Sequence, residues 1–108
     1  MPVDRRARRS NKMHVAMTRY LESLRLARGV EALALATERG FIAGAGDADL
    51  EHIGLLGASR RLRELHWDDR TLHVHPFEIN AQTMYLVAMG APVQDEAAME
   101  GIRRILAA

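Results

Sequence analysis

FIAGAGDADLEHIG, residues 41–54, carries an apolar run into Gly-Ala-Gly and then directly into a segment with helical character. Two folds compete for it. If the glycines cradle a phosphate, the segment opens a parallel β-α-β unit and the chain handles nucleotides. If they only finish one arm of a hairpin, the sheet is antiparallel and the helix returns across it. The charges decide between them. Asp47, Asp49 and Glu51 fill the turn that an anionic ligand would need empty and electropositive. A dinucleotide fingerprint wants a third glycine at position 49, which is Asp49. A P-loop is excluded throughout, because the only lysine is Lys12 and no glycine precedes it.

Upstream, VEALALAT (30–37) meets the apolar run across Glu38-Arg39-Gly40, so two short strands joined as a hairpin are expected. Before them Met13, Ala16, Met17, Tyr20, Leu21, Leu24 and Ala27 recur at helical spacing, with Ser10 or Asn11 as N-cap and Gly29 as the C′ residue. Downstream, Asp47 is the expected cap of a second helix along Leu50, Ile53, Leu55 or Leu56, Leu62 and Leu65. HWDDR (66–70) reads as a turn, and TLHVHPFEI and QTMYLVAMG read as strands joined at Asn80-Ala81. Pro76 places its strand at an edge or a bulge, since it cannot donate to a ladder. Asp95 caps a last helix with Ala98, Met99, Ile102, Ile105 and Leu106 on one face. The expectation is an α+β sandwich, with helices packed on an antiparallel sheet.

The 108 residues, 48% apolar and 27% charged, suit one globular domain with one modest core. With no cysteine, disulfides, thiolate nucleophiles and cysteine-based zinc sites are excluded. No apolar stretch approaches the roughly 18 residues of a membrane span and no secretory h-region follows the N-terminus, so a cytoplasmic location is expected. Residues 1–28 hold eight basic and two acidic groups, whereas the remainder holds seven basic and twelve acidic. Residues 1–12 therefore read as a basic, partly flexible arm before a domain at 13–108. Contact of that arm with nucleic acid or an anionic membrane is the alternative to simple solvation; the first aromatic after the run is Tyr20, so base stacking is missing.

Few residues have the spacing of catalysts. Around Ser59, Gly57-Ala58-Ser59-Arg60-Arg61 lacks the second glycine of a nucleophile elbow. His73 and His75 share one strand face, and with His52 or His66 would offer three nitrogens to a metal; the plainer reading is a half-exposed sheet face. No metal, cofactor or small-molecule substrate is expected. Gly54, Gly57 and Ala58 are more telling, because each glycine costs a helix interior about 1 kcal/mol relative to alanine. Either this side presses on the chain's own sheet or it meets a helix of a second subunit. The second is favoured here, with Leu50, Ile53, Gly54, Gly57, Ala58 and Arg61 as the dimer interface and Arg39 and Trp67 as partner contacts.

GVEALALATERGFIAGAGDADLEHIGLLGA (29–58) resembles the opening of the roadblock family, and MYLVAMGAP (84–92) with the final helix resembles its close. The likeness spans most of residues 13–106, and profilin-like relatives such as longin domains share much of it. It implies a profilin-like α-β-β-α-β-(β)-β-α sandwich, helices on both sheet faces, with either four strands or a stunted fifth at residues 64–67. It further implies a non-enzymatic dimer, with itself or a paralogue, in which the second helices pack antiparallel and the sheets run on across the interface. Such dimers act as scaffolds or regulators of Ras-like small GTPases, the MglB-like bacterial branch among them. Fourteen of the fifteen basic residues are arginine, in keeping with a GC-rich bacterial source.

Overall fold

The computed structural model describes residues 5–60 and 62–107, the backbone alone for 5–10. Its elements are α1 (Arg5–Arg28), β1 (Ala32–Thr37), β2 (Gly40–Gly46), α2 (Leu50–Arg60), β3 (Glu64–Trp67), β4 (Arg70–Ile79), β5 (Gln82–Met89) and α3 (Glu96–Ala107). All five strands join one antiparallel sheet in the order β2-β1-β5-β4-β3, so the fold is α+β and residues 64–67 are a fifth strand.

Alternation along β1 sorts the layers. Leu33 and Leu35 point to the side where Met17, Leu21 and Leu24 of α1 and Ala98, Met99 and Ile102 of α3 complete one core. Ala32, Ala34 and Ala36 point to the other side, where α2 lies with Ile53 and Ala58 over Val74, Tyr85 and Val87. The sheet thus carries helices on both faces, with the alanines of β1 on the face that takes the single helix.

Several boundaries differ from the sequence reading. α1 begins by Arg5 and not at Ser10 or Asn11. Arginine and alanine favour helix, so most of the basic arm is the first turns of α1. Residues 1–4 lie outside the described residues. Asp49 and not Asp47 caps α2, its Oδ1 accepting from the His52 amide at 3.2 Å. At the other end of α1 the expectation holds: Gly29 has φ 66°, and the Val30 amide reaches back to the Arg25 carbonyl at 3.1 Å.

The tight turns follow residue chemistry. Asp68 and Asp69 join β3 to β4, and Asn80 and Ala81 join β4 to β5, all four with positive φ, as two-residue hairpins with the sheet's twist require. Pro76 sits in an interior strand, yet its ring meets a local edge. β3 pairs only with residues 70–73 of β4, and Val74, donating to Arg63 O at 2.8 Å, has the last amide on that side before Pro76. α1 and α3 are tied where Tyr20 Oη donates to Ala98 O at 3.1 Å and Arg28 pairs with Asp95 at 2.5 Å.

Candidate partner-binding surface

The Gly-Ala-Gly segment answers a packing need. A Cβ on Gly44 would stand 2.8 Å from the Leu33 carbonyl and 3.1 Å from Leu50, and one on Gly46 would stand 2.7 Å from the Ala32 Cα. These glycines let β2 and the start of α2 close on β1, while Asp49 already occupies the helix terminus.

The same geometry corrects the expected interface. Ile53, Gly54, Gly57 and Ala58 are buried against the chain's own sheet. A Cβ on Gly54 would lie 3.4 Å from both Ala34 and Ala36, and one on Gly57 would overlap Val87 and stand 3.2 Å from Val74. The cost of each helical glycine is offset within the subunit, by close approach of α2 to the alanine face of the sheet. Leu50 is half-buried and leans on Gly44, and Arg61 lies outside the described residues.

What α2 offers to solvent is its opposite side. His52, Leu55 and Ser59 are exposed there and Leu56 is partly buried, while the helix's charged residues, Glu51 and Arg60, flank this strip. An outward helix face is ordinarily charged, so an uncharged one marks a surface suited to contact. Leu55 is 38% exposed and Leu62, just beyond the helix, 55%. Trp67 is half-buried with its ring 5.6 Å from that of His52, which brings this expected contact residue to the margin of the strip. Arg39 is exposed in the β1–β2 turn, in a depression of about 390 Å³ shared with Ala81, Gln82 and Thr83. It is not part of the α2 strip.

β3 borders this region as one of the two edges of the sheet. Because Val74 N–H donates to Arg63 O, the backbone groups of Arg63, Leu65 and Trp67 turn inward to β4. Those of Glu64 and His66 turn outward. The other edge, β2, is blunted: its register with β1 shifts at Leu35/Ala36, and His14 Nδ1 donates to the Ile42 carbonyl at 3.1 Å.

His73 and His75 do share a sheet face, together with His66 and Glu64 on β3, whereas His52 stands on the opposite face beside Trp67. No group of three or more metal-ligating side chains converges among the described residues. His73 and His75 line an open cavity of about 410 Å³ with Arg63, Glu64 and Gln94. His75 stacks on Phe77 at 6.2 Å, and burial holds its pKa below the usual imidazole value. Among the described residues no buried side-chain polar atom lacks a hydrogen bond, and no helix is long and apolar enough to cross a membrane.

Comparison with protein-family models, with curated proteins and with solved structures gave no match to this chain.

Proposed function

We propose that this chain is a non-catalytic dimerising module of the roadblock type, acting as a scaffold or regulator for a Ras-like small GTPase. The observation that carries the dimer is the uncharged outer strip of α2, with Leu55 and Leu62 exposed, set beside the open edge of β3. A helix face and a strand edge left open together suit a second copy. A two-fold axis perpendicular to the sheet keeps both α2 helices on one side while the sheets join at β3. The GTPase assignment draws on the roadblock resemblance and on the α-β-β-α-β-β-β-α order, which agrees with the order that the resemblance implies.

Light scattering tests the dimer. A mass near twice 12.1 kDa is expected, returning to 12.1 kDa in a Leu55→Glu/Leu62→Glu variant that keeps its circular dichroism. A wild-type chain that stays monomeric at high concentration overturns the reading. For the GTPase, capture of a Ras-like protein by the wild-type chain and not by that variant is the expected result. If captured GTPase turns over faster, Arg39→Ala asks whether its guanidinium acts as an arginine finger.

A further inference from the structure

The β3 edge carries enough information to fix how two copies would pair, and this step rests on the dimer proposed above. Only Glu64 and His66 turn backbone N–H and C=O groups away from β4. An antiparallel β3–β3 contact must therefore use those two residues, which leaves three two-fold registers. One sets Glu64 against the partner's Glu64, and a second sets His66 against the partner's His66. The third sets Glu64 against the partner's His66 twice over and uses every outward group of both strands.

We infer that β3 pairs with the β3 of a second copy in the third register, about an axis through Leu65. The first register opposes two carboxylates directly, which is destabilising, and the second leaves Glu64 beyond the paired strand. In the third, each carboxylate lies between two imidazoles, His73 of its own β4, directly opposite in the ladder, and the partner's His66. Thr71, opposite His66, ends the row on each side. Leu65 and its counterpart meet on the other face, the face of α2, so the uncharged strips of both helices approach on that side. β2 does not compete as a pairing edge, because its bulge and the His14 contact interrupt the ladder.

The absence of cysteine makes the register directly readable. Glu64→Cys and His66→Cys are both changes at exposed positions, so the fold should tolerate them. Hydrogen-bonded antiparallel partners stand about 5.5 Å apart at Cα, within disulfide reach, whereas residues displaced diagonally by two stand roughly 7–8 Å apart, beyond it. The two variants are mixed in equal amounts, one carrying a size tag, oxidised mildly and run on a non-reducing gel. Predominance of the mixed cross-linked pair is the expected result. Predominance of a Glu64→Cys or His66→Cys homodimer overturns the register. So does a particle dimeric by light scattering that forms no cross-link, since its interface then lies elsewhere. A monomeric mass overturns the dimer itself and is distinguished by the scattering measurement alone. As a second readout, His66→Glu should weaken dimerisation roughly fivefold by opposing like charges twice, and adding Glu64→Lys should restore it. Failure of the restoration, with both variants folded, also counts against the register.

Discussion

Gly57 shows how one hydrogen atom sets the spacing of two layers. An alanine there meets Val87, whose branched side chain has no slack to withdraw. Gly57→Ala should destabilise the chain by about 1–3 kcal/mol in urea unfolding. At Gly54 the nearest atoms stand at 3.3–3.4 Å, so Gly54→Ala should cost clearly less, the contact strain being offset by about 1 kcal/mol of helix propensity. If the chain dimerises as proposed, both variants should do so too once folded, because neither residue faces out. His75 supplies a pH dependence. Burial lowers its pKa in the folded chain, with Arg63 and Arg103 acting in the same direction and Glu96 opposing them. The unfolded chain therefore takes up the proton first as pH falls below about 6.5. Stability from this group is present above that value and is lost as pH falls through the lower, folded value. Urea midpoints at pH 7.5 and 5.0 should differ in that sense, and His75→Gln should reduce the difference.

Among the elements, α3 is held by its start. The Ala98 amide donates to Asp95 Oδ2 at 3.2 Å, and the same carboxylate receives Arg28. Asp95→Ala should cost about 1 kcal/mol, mostly through the lost cap, since the ion pair is exposed. Thermal unfolding checks this, with Arg28→Ala, which spares the cap, expected to lie much closer to wild type. The β1–β2 and β4–β5 hairpins and the presence of three helices were readable because turn residues and caps are local signals: Glu38-Arg39-Gly40, Asn80-Ala81, Asp95. The end of α2 was not, since Leu62 and Leu65 continue its spacing, yet the helix stops at Arg60 and Leu65 belongs to β3. The start of α1 was not, since Ser10 and Asn11 look like caps but lie within the helix. The side of α2 was not legible either. Periodicity shows that Gly54, Gly57 and Ala58 lie together, but not whose backbone approaches them. The complementary signal was the run of alanines on one face of β1, together with Ile53, which belongs in a core. Leu55, off that face, was the residue that pointed outward.

At the scale of the whole molecule, the chain divides at the α2–β3 connection into α1-β1-β2-α2 and β3-β4-β5-α3. The halves meet along β1 and β5, paired from Ala32↔Met89 to Thr37↔Met84. Two fragments, residues 1–61 and 62–108, should therefore reassemble when co-expressed, recovering the circular dichroism of the intact chain. Neither should be stable alone, because one leaves a side of the fully buried β1 uncovered and the other a side of the largely buried β5.

That central seam also orders events during synthesis. A nascent chain that has emerged only as far as the end of α2 has already made its first hairpin, yet β1 must wait with an open, apolar margin until the 29 residues from position 61 to Met89 leave the ribosome. The interval is a window for mispairing and for chaperone capture, and codon changes that slow translation between positions 62 and 89 should lengthen it.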